Sequence, residues 1–363
     1  MPLRLLPPTG EDYLRTVRSA LHAYVDEKVA TASSQTARMW SAARPSICGG
    51  KLVRPAILLL AAQALAADAP PLQESATRKR ESDLTALAVA LELVHAGFLM
   101  HDDVIDRDTL RRGEPNLLGR ASQVADLDLS ADSAARLGST LGILAGDLLL
   151  SDAHLAIGRL DLSQDTRIAL TQVLADALSQ SVTGELCDVL YSLPERDPDL
   201  AEVLAMTVHK TGVYTFHLPF SLALAYQGLP APAVLGDLTH QLGLAFQLQD
   251  DLLGVFGDPD LVGKDSASDL REGKVTALIA YARPTPQWPA IAGAVGDPDL
   301  TPPRAAAAIA LLEESGARAA VERDIARALQ TARDLASTLP GVGAPALGGM
   351  VEDLVDVIED RQS

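Results

Sequence analysis

The chain predicts an all-α fold, a single large helical body, and three observations carry that prediction. Hydrophobic residues make up 48% of the 363 while aromatics reach only 4%, so Ala and Leu supply the packing surface and the bulky side chains of a β-sandwich are scarce. Period-two alternation is rare, whereas 84–100 and 242–249 are apolar nearly all round, as buried helices are. Two acidic clusters, Asp102-Asp103-Val104-Ile105-Asp106 and Asp250-Asp251-Leu252-Leu253-Gly254, follow those stretches in opposite halves of the chain. Carboxylates beside buried apolar helix need a cationic partner. The two clusters are therefore expected to face each other across one interior cavity, which favours one body over two although the length exceeds the usual single-domain size.

The elements follow in order. After a Pro-rich leader and Thr9-Gly10, a first helix is predicted over 11–29, then a linker through Cys48-Gly49-Gly50 and a helix over 51–67. The stretch 68–82, with Pro70, Pro71 and several charges, reads as an exposed loop. A long helix ends near Asp106, and a loop rich in Arg and Gly runs over 108–116. Helices follow at 131–158, 164–192, 198–225 and 231–257, a polar loop at 257–273 and a shorter helix at 274–283. The remainder, 303–361, reads as amphipathic helices broken by Gly316, Pro340 and Pro345.

Charge narrows the function. A net charge of −18 disfavours nucleic acid or an anionic membrane surface as the main partner, since both attract basic patches. No stretch reaches about 18 uninterrupted apolar residues, and Met1-Pro2-Leu3-Arg4-Leu5-Leu6-Pro7-Pro8 lacks the apolar core of a signal peptide. The expectation is a soluble, cytoplasmic protein that is not integral to a membrane. Cys48 and Cys187 are too few and too far apart for a disulfide framework or a zinc site, and are expected to be reduced thiols.

At 3.6 residues per turn, Asp102 and Asp106 lie one above the other on one helix face. Like charges so placed repel. The arrangement becomes useful when hard divalent cations join it, because Mg²⁺ takes one or two carboxylates, keeps several waters and completes its shell with phosphate oxygens. Gly49-Gly50-Lys51-Leu52-Val53-Arg54-Pro55 sets two cations at a helix start, where backbone N–H groups already favour phosphate. Arg111-Arg112-Gly113 follows the first cluster, Lys210-Thr211-Gly212 interrupts an apolar helix, and Lys264 and Lys274 flank the polar loop after the second. Glycine beside these cations lets backbone approach a ligand closely. Together they suit two diphosphates, one held through magnesium and one by Lys and Arg alone.

Over nearly its whole length the chain resembles the trans-isoprenyl diphosphate synthases, or polyprenyl synthetases. The resemblance rests on Gly49-Gly50-Lys51 with Arg54-Pro55, Glu92-Leu93-Val94-His95, the first aspartate motif with Leu110-Arg111-Arg112-Gly113, Gly184 with Asp188, Lys210-Thr211, Phe246-Gln247-Leu248-Gln249-Asp250-Asp251, and Gly263-Lys264 with Lys274. It implies one synthase domain over 1–363, a helical bundle around a central cavity, and a homodimer. It also implies a magnesium-dependent prenyltransferase that condenses isopentenyl diphosphate with an allylic diphosphate (dimethylallyl, geranyl or farnesyl). Asp102 and Asp106 would bind two Mg²⁺ and Asp250 a third, with Asp103 and Asp251 in or near their shells. Arg111, Lys210 and Lys264 would contact the allylic diphosphate, and Lys51, Arg54, His95 and Arg112 the isopentenyl diphosphate. Gln247 and Thr211 would soften the allylic cation, and Lys274 belongs to the same substrate-binding set.

Departures are Gly254 where many members carry a third aspartate, for which Asp258 or Asp265 could substitute through water, Leu52 after Lys51 in place of a basic residue, and Glu185 where glutamine is common. Bulk one turn before Asp102 forms the floor of the product cavity in this family. Here the positions are Gly97 and Phe98, which suggests a short product, geranylgeranyl rather than farnesyl diphosphate. A class I terpene cyclase would have no use for Lys51, Arg54 and Arg112. A non-catalytic subunit of a synthase heterodimer would have lost aspartates. A metal phosphohydrolase built on His101-Asp102 would need further histidines at fitting spacing, which His22, His154, His209, His217 and His240 do not provide.

Overall fold

The computed structural model describes residues 8–111, 113–257, 268–339 and 343–360, and they are helical almost throughout. Among the described residues β-structure is confined to a short hairpin, β1 (Leu110–Arg111) against β2 (Glu114–Pro115), with Arg111 opposite Glu114 and Gly113 at φ +77° in the turn. The chain divides into two compact units, one formed by residues up to Leu174 with Pro219–Leu229, the other by Ala175–Leu218 and the residues from Pro230 onward.

The first unit is built on α4 (Glu74–Asp106). Its apolar half packs against α1 (Pro8–Thr31), α2 (Ser34–Cys48), α3 (Val53–Leu65) and, most extensively, α6 (Ala131–Gly158). α5 (Ala121–Ala125) is a short connector before α6. Three glycines one turn apart on α6 allow close approach, Gly142 and Gly146 to α4 and Gly138 to the chain at Leu118. A Cβ would stand 2.8 Å from Leu118 O at Gly138, 2.5 Å from Val104 Cγ2 at Gly142 and 2.3 Å from His101 Nε2 at Gly146. That stripe brings α6 against the acidic end of α4. His101 lies in the groove it leaves, 3.3 Å from the carbonyl of Ile143 and 3.4 Å from Asp147.

The reading departs from the structure in two places here. The stretch 68–82 is not all loop, because α4 starts at Glu74. Its charges form a solvated helix face with Glu74–Arg78 and Lys79–Asp83 ion pairs at i,i+4 spacing, and only Pro70 and Pro71 stay outside. The linker before Gly49 is likewise α2, which buries Met39, Trp40, Ala42, Ala43 and Ile47.

The second unit centres on α10 (Leu235–Phe256). In place of one helix over 198–225 the chain forms α8 (Leu200–Thr207), a π-helical stretch Val208–His217, and α9 (Leu218–Tyr226), which from Pro219 on belongs to the first unit. π-turns are rare and often mark functional sites. This one packs on α10 with Gly212 against Gly243, where a Cβ on Gly243 would stand 2.6 Å from Gly212 Cα. The C-terminal half of α7 (Gln164–Tyr191) lies on the same stretch. α11 (Ser268–Glu272), α12 (Ala277–Ala282), α13 (Trp288–Ile291), α14 (Pro302–Glu314), α15 (Ala317–Ser337) and α16 (Ala344–Glu359) complete the unit, and α15 packs extensively on α10. Gly316 separates α14 from α15 as expected, while Pro345 falls in the first turn of α16, where proline is tolerated; Pro340 lies outside the described residues.

Among the described residues α4 and α6 are each long and apolar enough to cross a membrane, and the absence of an uninterrupted apolar run does not set them apart from such spans. Burial inside the protein accounts for 61% of that window in α4 and for 39% in α6. α6 leaves Ile143, Leu144, Leu148 and Leu155 exposed, and on α7 Val182, Leu186, Val189 and Leu190 stand out at helical spacing.

Candidate active site

In the first unit the acidic motif occupies the last turns of α4, and its three carboxylates have different surroundings. Asp102 and Asp106 are half-buried and one turn apart, whereas Asp103 is 1% exposed. Arg111 holds Asp103 from the hairpin, Nε donating at 3.0 Å and Nη2 at 2.5 Å to Oδ1, and lies 3.6 Å from Asp102. Burial pushes the Asp103 carboxyl up to about 6, with Asp102 and Asp108 adding to the rise and Arg111 opposing it. Asn116 sets the loop that presents Arg111. Its Nδ2 donates to Asp108 O at 2.8 Å and its Oδ1 accepts from Gly119 N–H at 3.0 Å. Gly119 has no room for a side chain, since a Cβ would stand 2.3 Å from Thr109 O.

The basic turn before α3 lies in the same unit. Lys51 is exposed and Arg54 is buried at 7%. Between them Leu52 takes φ +54°, ψ 39°, a left-handed conformation that costs a non-glycine residue roughly 1–2 kcal/mol. Its side chain is 1% exposed, and burial of a leucine, about 1.5–3 kcal/mol, offsets the strain. His95 is half-buried on α4, one turn beyond the buried Glu92. Arg112 lies outside the described residues.

Gly97 and Phe98 differ in role. A Cβ at Gly97 would stand 3.2 Å from Gly146 O and from Leu150 Cδ2. The room left by glycine there is taken up by α6, and Phe98 is the half-buried bulk one turn before Asp102.

The second unit gathers Lys210, Thr211, Gln247, Asp250 and Asp251. Gly184 on α7 permits it, since a Cβ there would stand 2.2 Å from Lys210 N. The close approach sets Asp188 2.6 Å and Glu185 3.0 Å from Lys210 Nζ. On α10, Gln247 Nε2 donates to Asp251 Oδ1 at 2.9 Å. With its Nε2 end turned to Asp251, the Gln247 amide presents its carbonyl oxygen the other way. Burial, then the like charges of Asp269, Asp250 and Asp188, pushes the Asp251 carboxyl up to about 7 against the donation from Gln247. Lys274 is paired with Glu272 at 2.7 Å, and Lys264, Asp258 and Asp265 lie outside the described residues.

Two contributors were not read from the sequence. Asn116 sits in a loop where a polar residue attracts no notice. Asp269 has its Oδ2 3.4 Å from where a Cβ at Gly254 would stand, beside the position whose carboxylate is missing. That missing aspartate was the available signal, but nothing in the spacing pointed to α11 as the place to look.

Among the described residues no three His, Cys, Asp or Glu side chains converge to hold a metal unaided. Mg²⁺ does not require it, because it binds through one or two carboxylates with waters and substrate phosphates. Asp102 and Asp106, on one face and partly open to solvent, fit that mode, and so does Asp250, half-buried on α10. Lys and Arg grouped near each motif suit phosphorylated substrates. The fold and these groups suit a helical enzyme that acts on phosphorylated substrates.

The polyprenyl synthetase family model matches residues 39–292, and the chain belongs to that family. It is 30% identical over 317 residues to a geranylfarnesyl diphosphate synthase of Aeropyrum pernix, covering 86% of this chain and 91% of that protein. It is 28% identical to a (2E,6E)-farnesyl diphosphate synthase of Mycobacterium bovis over 86% of this chain and 80% of the relative. The fold is that of a geranylgeranyl pyrophosphate synthase from Corynebacterium glutamicum, solved with isoprenyl diphosphate and magnesium, at a TM-score of 0.82 and 24% identity over 95% and 98% of the two chains. The protein is thus a transferase of the all-α isoprenoid synthase fold. Its family condenses isopentenyl diphosphate with allylic diphosphates and uses Mg²⁺ at its diphosphate-binding motifs.

Proposed function

We propose that this chain is one synthase domain, active as a homodimer in the cytoplasm, that extends an allylic primer to geranylgeranyl diphosphate with three Mg²⁺ at each site. The observation that carries the reading is the division of labour in the first motif: Arg111 neutralises buried Asp103 while Asp102 and Asp106 stay open to solvent on one face. Asp102 and Asp106 would hold two ions and Asp250 the third, with Asp251 and Asp269 as neighbouring carboxylates. When bound, Mg²⁺ stabilises charge developing on the leaving diphosphate.

This chain's own residues do the rest. Lys210, Lys264 and the Nη1 edge of Arg111 grip the allylic diphosphate, with Lys274 in the same basic set. Lys51, Arg54, His95 and Arg112 hold isopentenyl diphosphate without metal. The carbonyl oxygen of Gln247 and the Thr211 hydroxyl stabilise the allylic cation, which the isopentenyl double bond attacks. The proton then lost goes to the departing diphosphate, so no side-chain base is needed. Apolar walls keep out water that would quench the cation.

The family match spans parts of both compact units, which supports one domain. The exposed apolar stripes of α6 and α7 support a second copy of the chain as their cover, since surfaces of this kind mark interfaces. Phe98 as the cavity floor supports a short product. Purified protein incubated with isopentenyl diphosphate, Mg²⁺ and each allylic primer, followed by dephosphorylation, should yield geranylgeraniol. Farnesol alone, or alcohols longer than twenty carbons, would overturn the product assignment and leave the reaction class intact.

A further inference from the structure

We propose that Arg18 of α1 is a positioning residue for the isopentenyl diphosphate site, a guanidinium fork that holds the turn from which Lys51 and Arg54 project. The inference rests on the assignment of Lys51 and Arg54 to that substrate. Arg18 Nη1 donates to Cys48 O at 2.8 Å and Nη2 to Gly50 O at 3.1 Å. One planar group thus fixes two peptide planes, the last of α2 and the one preceding Lys51. Guanidinium is suited to this because its N–H groups lie in a rigid plane, whereas an ammonium on a flexible stem sets no such geometry.

The turn needs holding. Gly49 N–H donates back to Pro45 O at 3.0 Å to close α2, and two residues after Gly50 the chain adopts a left-handed conformation at Leu52. On its inner side Gly50 presses against α4, where a Cβ would stand 3.0 Å from Glu92 Oε2. The turn is therefore fixed on one side by α4 and on the other by Arg18. Between these supports sits a residue whose backbone is not in its preferred basin. With the fork removed, Gly49–Leu52 gains freedom to leave that conformation, and Lys51 and Arg54 lose their common orientation. Arg18 is itself exposed, so its replacement leaves no cavity in the core.

The test uses the full-length protein with Arg18→Met and Arg18→Lys. Both should raise KM for isopentenyl diphosphate about tenfold, equivalent to about 1.4 kcal/mol, with KM for the allylic substrate and kcat within about twofold of the parent. Both should also speed amide hydrogen exchange across Gly49–Arg54 while that of α6 stays unchanged. Lys retains the charge and loses the fork. Recovery of the parent KM in Arg18→Lys would overturn the proposal in favour of a simple charge effect. Unchanged exchange at Gly49–Arg54 would overturn it outright, as would equal losses for both substrates. Arg54→Met run in parallel separates the two claims: if it leaves KM for isopentenyl diphosphate unmoved, the site assignment is at fault, whereas the exchange data still decide whether Arg18 holds the turn.

Discussion

Glu185→Gln should tighten binding of the allylic diphosphate. Lys210 Nζ is shared by Asp188 at 2.6 Å and Glu185 at 3.0 Å, and none of the three side chains is more than a quarter exposed. A diphosphate must draw the ammonium from at least one of these carboxylates. Glu185 is the longer and more exposed of the two, so its hold is the weaker, within the 0.2–1 kcal/mol of partly exposed pairs. Glutamine keeps the shape and an acceptor oxygen but removes the charge. It also removes repulsion toward phosphate, about 0.6 kcal/mol per unit charge at roughly 6.5 Å in water-like dielectric. The sum, about 1–1.5 kcal/mol, predicts a KM for the allylic diphosphate lowered roughly five- to tenfold. Initial rates of pyrophosphate release at saturating isopentenyl diphosphate would measure it. A KM within twofold of the parent, or a raised one, refutes the competition argument and makes Glu185 a support that Lys210 needs.

Other perturbations have equally definite outcomes. Asp102→Ala and Asp250→Ala should each abolish turnover while the circular dichroism stays that of a folded helical protein; retention of more than about a tenth of kcat, ~1.4 kcal/mol of barrier, would remove that residue from the metal set. Phe98→Ala should lengthen the product, read as prenyl alcohols after dephosphorylation, whereas Gly97→Phe is expected to unfold or loosen the protein, because α6 already fills that space. Leu186→Glu on the exposed stripe of α7 should halve the mass measured by light scattering, and an unchanged mass would place any subunit interface elsewhere. For pH, burial lowers the His217 pKa, and its Nδ1 donates to Thr239 Oγ1 at 3.0 Å because that hydroxyl spends its own hydrogen on Leu235 O. The unfolded chain takes up this proton near pH 6.5 and the folded one only at lower pH, so stability is complete above that pH and declines as the pH falls. His217→Gln should flatten the acid side of a melting-temperature profile, and an identical slope would show that other groups set it.

Periodicity and composition read the long helices well, because α4, α6, α7 and α10 each bury a continuous apolar face that no other element type could use. They failed where local bonding replaced hydrophobicity as the signal. The charged opening of α4 looked like loop because its support comes from i,i+4 ion pairs, and the break at Lys210 was visible only as a glycine beside a cation. The motifs pointed to candidate site residues but not to their partners. That Asp103 turns inward to Arg111 while Asp102 and Asp106 stay open depends on a hairpin of two-residue strands, which no periodic signal marks.

That asymmetry bears on how the protein prepares for its substrates. Asp103 and Asp251 are each the second residue of an Asp-Asp pair, and in each case burial and neighbouring carboxylates push the carboxyl well above its ordinary range, to about 6 and about 7. A group so raised is ionised at neutral pH only at a cost to the folded state. Its contribution is most favourable below about pH 4, where it is protonated whether the chain is folded or not, and is lost as the pH climbs toward the folded value. The fold therefore holds two carboxylate clusters in place against their own repulsion. In the proposed reaction, cations bound with a diphosphate would relieve that repulsion. On that proposal, stability given up to hold these carboxylates would return as affinity and orientation for the cations that stabilise charge on the leaving group.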